Sequence, residues 1–333
     1  MRIAINGFGR IGRLVVRAAL KRNEGIDFVA VNDVTDAKTL ATLLNFDSIH
    51  GVWPERFEAA DGGIRVGSKK FQVLCEANPA QLPWKELGID VVLECTGKFT
   101  DRDKAAVHLA AGAKRVLVSA PSKGADATFV IGVNEKTFDP AKHTVVSIAS
   151  CTTNCLAPVQ SIVDGGFEVE RGLMTTVHAY TNDQRVHDAP HKDLRRARAA
   201  AMSMIPTSTG AAKAIGLVLP SLVGKLDGVA VRVPVPNGSL VDVTLLTAKP
   251  VTVASVNQAM RDAASGPLLG ILQYSEDPIV SQDVVGNPHS AVFDAPLTMV
   301  SGDRFLKLLA WYDNEWGFSN RMVDALMMLA KAT

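Results

Sequence analysis

The chain has 333 residues, of which 47% are hydrophobic and 21% charged, and its formal net charge is +1. This length and apolar content predict two domains with sizeable cores. The balanced charge argues against nucleic acid or an anionic membrane as the main partner. No apolar run approaches the ~20 residues that a membrane-spanning helix needs. The chain starts on a strand-like segment, and its four cysteines lack disulfide-like spacing, so we expect a cytoplasmic protein.

The N-terminal segment has the pattern of a dinucleotide-binding turn. A buried strand at residues 3–5 leads into the G-x-G-x-x-G sequence of residues 7–12, which opens a helix. Glycines there let the backbone approach a pyrophosphate at the helix N-terminus. Asp33 ends the next predicted strand, where an acid would accept hydrogen bonds from the ribose hydroxyls. The alternative interpretation is that Asp33 is an ordinary turn aspartate.

Further strand–helix units follow in this half of the chain. Strands are predicted at residues 90–94 and 115–118, and a helix at residues 103–111. This alternation predicts an α/β fold with a doubly wound parallel sheet, the Rossmann dinucleotide-binding arrangement. Ligands bind at the carboxyl ends of such strands, so the residues that follow them are candidate cofactor contacts. These candidates are Thr96, Gly97 and Ser119.

Near the middle of the chain, residues 150–155 place Cys151 between a β-rich stretch and a predicted helix. A cysteine at the first turn of a helix faces the positive end of the helix dipole, which favours the nucleophilic thiolate. Pro158 predicts a bend or an irregular first turn, and Gly165-Gly166 predict the end of the helix.

Two other interpretations of this cysteine are open. A buried cysteine is more often an inert apolar residue than a nucleophile. Cys151 and Cys155 could also bind a metal together. The remaining cysteines, Cys75 and Cys95, provide no second ligand pair, so no metal site is predicted.

The second half of the chain is richer in β-like stretches and contains a long polar loop. His178 lies at the end of a predicted strand and opens the long polar loop, which ends in an arginine-rich stretch at residues 195–198. Long loops are usually functional, and these arginines could bind phosphate or form a solvated face. Residues 207–210 precede a predicted helix and offer another anion site. The many β-rich stretches predict an α+β domain with a mainly antiparallel sheet, and the last helix is expected to return to the first domain.

Five blocks of the sequence resemble phosphorylating glyceraldehyde-3-phosphate dehydrogenases, and together they extend over essentially the whole chain. The blocks are residues 6–13, 119–123, 150–158, 178–181 and 311–315. The resemblance implies an NAD-binding Rossmann domain formed by residues 1–149 and 315–333. It also implies a catalytic domain formed by residues 150–314, and a homotetramer.

The resemblance further implies a thioester mechanism. Cys151 would attack the aldehyde of D-glyceraldehyde 3-phosphate, and His178 would accept a proton as hydride leaves for NAD and would also raise the thiolate fraction. Inorganic phosphate would then release 1,3-bisphosphoglycerate. Thr181 and Arg232 would bind the substrate phosphate; Thr152, Thr209 and Gly210 would bind the attacking phosphate, with Ser150 and Arg196 close by. The implied cofactor contacts are Gly7, Gly9, Arg10, Ile11, Gly12, Asp33, Thr96, Gly97, Ser119 and Asn314.

Three residues depart from the family pattern. Ile148 and Ala77 replace a common Asn and a common Arg, whereas Ala189 replaces a Leu frequent in NAD-using members. Asp33, with no arginine directly after it, predicts NAD over NADP, although Ala189 would leave room for a 2′-phosphate. The alternatives are an erythrose-4-phosphate dehydrogenase and a non-enzymatic nucleotide-sensing or RNA-binding protein.

Overall fold

The fold comes from a computed structural model, which describes residues 1–331. The chain forms two compact units. Unit 1 comprises residues 1–129, 135–149 and the stretch from 319 onward, and unit 2 comprises residues 130–134 and 150–318. These units are defined by compactness alone, so the functional boundaries at 149/150 and 314/315 stay predictions.

Unit 1 is built from short strands that alternate with helices. Its elements are β1 (Arg2–Asn6), α1 (Arg10–Lys21), β2 (Asp27–Asn32), α2 (Ala37–Asn45), β3 (Phe46–Asp47), β4 (Gly51–Val52), β5 (Glu58–Ala60), β6 (Gly63–Val66), β7 (Lys69–Leu74), β8 (Val91–Glu94), α3 (Arg102–Ala105), α4 (Val107–Ala110), β9 (Arg115–Val118), β10 (Ala127–Thr128) and β11 (Val145–Ser147).

The main sheet of unit 1 has the strand order β10-β11-β9-β8-β1-β2-β7-β6-β5 within the described residues. All neighbours from β10 to β7 run parallel, and only β6 and β5 are antiparallel. All four residues of β8 are buried, as expected for a parallel strand covered on both faces. The chain winds outward in both directions from β1, so a topological switch point lies between β1 and β8. Ligands bind at such points in open α/β sheets.

Unit 2 contains longer strands and begins with the cysteine helix. Its elements are α5 (Cys151–Phe167), β12 (Val169–Ala179), β13 (Ile205–Ser208), α6 (Ala211–Val218), β14 (Leu226–Val233), β15 (Ser239–Thr247), α7 (Val253–Ser265), β16 (Leu272–Ser275), β17 (Ala291–Asp294), β18 (Met299–Ser301) and β19 (Phe305–Tyr312), and it holds the start of α8 (Trp316–Ala330).

The sheet of unit 2 has the order β13-β14-β12-β15-β19-β17-β16, with β18 paired to β19. Most pairs are antiparallel; the exceptions in the described residues are β12 with β14 and β16 with β17. Buried and half-buried residues alternate along β15, as expected when one sheet face packs on helices. The predicted fold class, a doubly wound parallel sheet plus a mainly antiparallel α+β domain, is confirmed.

Helix α5 starts where the sequence predicts and ends later than expected. The hydroxyl of Ser150 accepts a hydrogen bond from the Thr153 N–H, which caps the helix. Gly165-Gly166 do not stop the helix, because it continues through them to Phe167. The end comes at Glu168, whose φ of 57° lies in the left-handed region. Glycine propensity was therefore the wrong guide to this boundary.

Asp126 ties together three segments at the β11 side of the unit 1 sheet. Its carboxylate accepts hydrogen bonds from the backbone N–H groups of Thr144 and Val145 at 2.8 Å and from Arg102 Nε at 2.9 Å. Burial raises the pKa of Asp126, but these hydrogen bonds outweigh burial and lower it to about 2. The carboxylate therefore stabilises the fold above its unfolded pKa, near 4, and this contribution is lost as the pH falls through 2.

We expect Asp126→Asn to lower the melting temperature of the protein at pH 7, since hydrogen bonds to a charged group contribute about 1.5–3 kcal/mol. The difference from the unsubstituted protein should shrink between pH 4 and pH 2. Asp103→Asn is the matched control, because Asp103 also lies near Arg102 but its side chain is 97% exposed. A loss that is independent of pH would contradict the assigned role of the carboxylate charge.

Candidate active site

Cys151 lies at the first turn of α5 and is partly accessible. Its Sγ atom is 3.5 Å from Nε2 of His178. Cys155, one turn further on, is fully buried and its thiol lies 3.7 Å from the carbonyl oxygen of Ala310. The two cysteines are therefore in different environments, and only Cys151 has a neighbouring base.

His178 is positioned by sheet register. It is the second-last residue of β12, in agreement with its predicted place at the end of a strand. Strand β14 runs parallel to β12 and pairs Arg232 with His178. Arg232 Nη1 lies 2.8 Å from His178 Nδ1 and 3.1 Å from the carbonyl oxygen of Ala179. A cation is thereby held against the imidazole by backbone geometry.

The hydrogen bonds around the imidazole permit a state in which His178 is a base. Nδ1 lies 2.7 Å from the Ala179 carbonyl oxygen, which can only accept a hydrogen bond. Arg232 Nη1 can only donate and also lies 2.8 Å from Nδ1, so it competes with this carbonyl for the ring atom. When the ring proton is on Nδ1, Arg232 donates to the carbonyl instead, and Nε2 presents a lone pair to Cys151. This tautomer leaves His178 ready to accept a proton on the side of the cysteine.

The electrostatics of the pair depend on Arg232. Burial raises the pKa of the Cys151 thiol, whereas the Arg232 charge and the Thr152 N–H lower it. Burial and the Arg232 charge lower the pKa of His178, to about 3. Taken separately, the two groups favour a neutral thiol beside a neutral imidazole. Because they are in contact, a thiolate–imidazolium pair gains mutual attraction, and the two groups titrate as a unit.

Tyr312 is a site residue that the sequence analysis did not single out, although it lies in a block that carries the family resemblance. Its hydroxyl lies 2.9 Å from the hydroxyls of both Thr152 and Thr176. Its ring meets the His178 ring edge-on, with centroids 5.9 Å apart. The local sequence pattern does not show which side chains Tyr312 contacts.

The predicted phosphate-binding residues lie on four segments of unit 2: the start of α5, the loop after β12, the stretch before α6, and β14. Arg196 donates to Thr207 Oγ1 and to the Ser208 carbonyl oxygen, and it is paired with Asp183. Thr209 Oγ1 accepts a hydrogen bond from the Ala211 N–H at the start of α6. These contacts place Arg196 beside the segment that leads into α6, as an anion site at that helix start would require.

The remaining predicted residues of unit 2 differ in how they are held. The Thr181 N–H donates to Gln184 Oε1. Buried Arg232 Nε lacks a hydrogen-bond partner among the described residues. Gly210 precedes α6 and provides no side-chain cap. Asn314 accepts a hydrogen bond from Ser239 Oγ at 2.8 Å, which leaves its amide nitrogen as a donor. Ser239 was not identified from the sequence, because nothing local marks it.

In unit 1, the predicted glycine turn has the backbone that a dinucleotide requires. Gly7 has φ +90°, and a Cβ there would lie 2.5 Å from the backbone nitrogen of Thr96. A Cβ on Gly12 would lie 2.5 Å from the Gly7 carbonyl oxygen. Gly9 precedes α1 without a side-chain cap, so the first N–H groups of the helix are available to a phosphate. These residues fit an NAD pyrophosphate.

Asp33 serves the turn as well as any ligand. Its carboxylate accepts hydrogen bonds from the N–H groups of Phe8 and Val34, both at 2.7 Å. Arg10, a predicted cofactor contact beside Ile11, forms a salt bridge with Asp47 at 2.8 Å. Asp33 thus holds the glycine turn and still has lone pairs for a ribose. The sequence pattern predicts only the second role.

Family models match both halves of the chain. One, described as "Glyceraldehyde 3-phosphate dehydrogenase, NAD binding domain", matches residues 1–102, and another, described as its C-terminal domain, matches residues 150–314. The chain belongs to the glyceraldehyde-3-phosphate dehydrogenase family. Membership makes it an NAD-dependent oxidoreductase, as the resemblance implied.

Individual relatives agree with this assignment. Glyceraldehyde-3-phosphate dehydrogenase 2 of Streptomyces arenae is 54% identical over 332 residues, covering 100% of this chain and 99% of the relative. The dehydrogenase of Kitasatospora aureofaciens is 56% identical over 329 residues, and that of Geobacillus stearothermophilus 54% over 330. Each of these two alignments covers 99% of this chain and at least 98% of the relative.

Two kinds of feature are absent from residues 1–331. No helix there is long and apolar enough to cross a bilayer. No three His, Cys, Asp or Glu side chains in that range come together as a possible metal site.

We expect His178→Asn to shift the pH profile of Cys151 alkylation by iodoacetamide towards higher pH. Without the imidazole, the thiol must release its proton to water while its thiolate loses the adjacent partner. The measurement is the alkylation rate between pH 5 and pH 10, with Cys155→Ser as a control that should leave the profile unchanged. An unaltered profile in His178→Asn would mean that the helix N-terminus and Arg232 alone set the reactivity of Cys151.

Proposed function

We propose that this protein oxidises and phosphorylates D-glyceraldehyde 3-phosphate to 1,3-bisphosphoglycerate, with NAD, in glycolysis and gluconeogenesis, through a thioester on Cys151. The activity and the cofactor follow from membership of the family and from relatives of that name more than half identical over the full length. The observation that carries the mechanism is the 3.5 Å approach of Cys151 Sγ to His178 Nε2 at the start of a helix.

The chemistry divides into three steps. The sulfur of Cys151 attacks the aldehyde carbon, and the thiol proton passes by way of His178 Nε2 to the carbonyl oxygen, which becomes a hydroxyl. His178 Nε2 then accepts the hydroxyl proton as hydride leaves the carbon, which restores the C=O bond as a thioester. NAD supplies the hydride acceptor when it is bound. Inorganic phosphate finally attacks the thioester carbon and the Cys151 thiolate leaves, so the products are the acyl phosphate and the restored cysteine.

The two anions of this reaction need separate donors. We assign the substrate phosphate to Thr181 and Arg232, whose buried Nε lacks a partner in the described residues. The attacking phosphate is assigned to Thr152, Thr209 and Gly210, with Ser150 beside them and Arg196 between the two anions. Tyr312 supports the second site, because its hydroxyl fixes the Thr152 side chain.

We expect Cys151→Ser to reduce turnover by at least about 10³-fold while NAD binding survives, since a serine hydroxyl has too high a pKa to be activated here. Cys155→Ser is the control and should retain most activity, because this thiol has no base nearby. The assay follows NADH absorbance with and without phosphate. Substantial turnover by Cys151→Ser, or equal losses in both variants, would contradict a covalent Cys151 mechanism.

We expect Arg232→Ala to raise KM for glyceraldehyde 3-phosphate by about 10–100-fold, because hydrogen bonds to charged groups contribute roughly 1.5–3 kcal/mol. Unphosphorylated glyceraldehyde is the matched control. Loss of the contact to His178 should affect kcat for both aldehydes. Loss of the phosphate contact should raise KM for glyceraldehyde 3-phosphate alone. Equal KM changes would remove Arg232 from the phosphate site.

The exposed apolar surface of unit 2 supports a homotetramer. Leu173, Leu217, Val223 and Phe305 line an apolar groove of about 910 Å³, and each is more than half exposed. A second group of exposed apolar residues follows β12, namely Val186, Leu194, Met202 and Met204. Monomers rarely expose such surface, and two distinct self-complementary interfaces are what a tetramer with dihedral symmetry needs.

Sedimentation equilibrium tests the assembly, whose expected mass is four times the 35.5 kDa of the chain. Leu173→Asp should produce smaller species. Leu269→Asp, at a leucine that is 75% exposed outside both groups, should not. A monomeric unsubstituted protein would exclude the tetramer.

A cytoplasmic location is also proposed, because all four cysteines are unpaired and a thiol nucleophile needs a reducing compartment.

Two other functions have less support. An erythrose-4-phosphate dehydrogenase would use the same cysteine and histidine, and comparing kcat/KM for the two aldehydes separates the possibilities. A non-enzymatic RNA-binding role would depend on the arginine-rich loop, but Arg196 and Arg198 are paired with Asp183 and Asp188. Those pairings reduce the positive charge available to a nucleic acid.

We expect NAD to be preferred over NADP, because a 2′-phosphate would bring negative charge against Asp33. Asp33→Asn should raise the NADP-to-NAD ratio of kcat/KM by roughly tenfold while its remaining oxygen can still accept the Phe8 N–H. Asp33→Ala should lower kcat/KM for both cofactors, since the Phe8 N–H loses its hydrogen-bond partner. Equal use of both cofactors by the unsubstituted protein would mean that the room left by Ala189 outweighs the acid.

A further inference from the structure

Glu94 is a buried acid at the switch point of the unit 1 sheet. It ends β8, and only 1% of its surface is exposed. Its Oε1 accepts hydrogen bonds from the N–H and the hydroxyl of Thr96. Its Oε2 lies 2.7 Å from Asn6 Nδ2 and 3.0 Å from His108 Nε2. Four neighbouring groups therefore converge on one carboxyl group.

The direction of the Asn6 contact is fixed by a chain of amides. The N–H of Glu76 can only donate, and Asn32 Oδ1 accepts it at 2.9 Å. Asn32 Nδ2 must then donate to Asn6 Oδ1, 2.8 Å away. This leaves Asn6 Nδ2 as the atom that faces Glu94, and it can only donate.

The direction of the His108 contact is fixed in the same way from the other side. The indole N–H of Trp84 can only donate, and it lies 3.0 Å from His108 Nδ1. His108 Nδ1 must therefore be unprotonated, and the proton of the neutral ring is on Nε2. His108 is fully buried, and that proton points at Glu94.

The Asn6 amide, the His108 Nε2–H and the Thr96 N–H donate to Glu94, and the Thr96 hydroxyl, whose oxygen already accepts the Lys98 N–H, is placed to donate as well. An ionised carboxylate accepts all four. No Lys or Arg nitrogen among residues 1–331 lies within salt-bridge distance of Glu94. The basic group that does lie within that distance is His108, whose ring is neutral here and provides no opposite charge. A buried charge of this kind persists only where several hydrogen bonds replace its hydration. The anion is held by directed hydrogen-bond donors. These donors fix the position of the carboxylate, so a substitution that removes or reverses one of them is poorly tolerated.

The same groups hold the glycine turn. The Gly7 N–H donates to the Asn32 carbonyl oxygen at 2.8 Å, and the Cys95 N–H donates to the Asn6 carbonyl oxygen at 2.7 Å. Gly7 is so close to the Thr96 backbone that a Cβ would lie 2.5 Å from its nitrogen. Glu94 thus fixes the Gly7 segment and the Thr96 segment, whose close approach shapes the dinucleotide-binding edge of the sheet.

We propose that Glu94 is a positioning residue for NAD: its buried carboxylate locks the Gly7 turn against Thr96 through Asn6, Asn32 and His108. Glu94 does not need to touch the cofactor. The inference depends on NAD binding by this domain and is independent of the Cys151 mechanism.

Glu94→Gln tests the proposal, because it preserves shape and replaces one acceptor with a donor. Whichever way the new amide is turned, its NH₂ faces at least one group that can only donate, either the Thr96 N–H or the donors of Asn6 and His108. We expect the Kd for NAD, measured by calorimetry on the full protein well below its melting temperature, to rise at least about tenfold. The rate of Cys151 alkylation without NAD should stay unchanged.

A charge swap supplies the rescue. In Asn6→Asp/Glu94→Gln the carboxylate moves to position 6, where it can accept from Asn32 and from His108 Nε2, which is 3.4 Å from the present amide nitrogen. The amide at position 94 can then donate to position 6 and accept from Thr96. Asn6→Asp alone sets two carboxylates 2.7 Å apart and should be the worst variant. We expect the double variant to recover NAD affinity to within about threefold of the unsubstituted protein.

Val116→Ala is the control for a loss of stability alone, because Val116 is a fully buried core residue on the neighbouring strand β9. It should lower the melting temperature and leave the Kd within twofold. Nitrogen-15 NMR of His108 should show the Nε2–H tautomer at neutral pH. A Kd for Glu94→Gln within twofold, a double variant as weak as Glu94→Gln, or the Nδ1–H tautomer would each overturn the proposal. If the unsubstituted protein did not bind NAD, the proposed function would fail instead.

Discussion

The contact between Arg232 and His178 is the constraint on which the chemistry of unit 2 depends. It results from the parallel pairing of β12 with β14, which sets these two residues side by side in the sheet. One buried cation therefore acts on both partners of the reactive pair, and it lowers the pKa of Cys151 as well as that of His178. A lysine on a flexible stem would not keep this fixed fork geometry.

Unit 1 solves a related problem with the opposite charge. There a buried carboxylate, Glu94, has no Lys or Arg nitrogen of residues 1–331 beside it and accepts hydrogen bonds from four neutral groups. In both units a buried ion sits at the ends of parallel strands, where backbone segments from distant parts of the chain meet. Such an ion specifies geometry because any shift leaves a charge without hydrogen bonds, which costs far more than moving an apolar contact.

The sequence predicted the features that depend on neighbouring residues. The glycine turn, the start of α5 at Cys151 and the helix after Gly210 all follow from local pattern, and the structure has them. It could not predict the pairing of Arg232 with His178 or the convergence of Asn6 and His108 on Glu94. Those contacts join residues tens of positions apart through sheet register, which periodicity does not reveal. The end of α5 was missed because left-handed Glu168 carries no compositional mark.

The charge of Arg232 also connects substrate binding to the chemistry. A phosphate bound to Arg232 would offset the positive charge that lowers both pKa values, so both would rise. A more basic His178 is a better acceptor for the hydroxyl proton, whereas a higher Cys151 pKa lowers the fraction of nucleophilic thiolate. By linkage, the phosphate must bind more tightly when the pair carries the additional proton. If the proposed phosphate assignment holds, binding of the substrate anion and the proton affinities of the two catalytic groups are coupled through a single side chain.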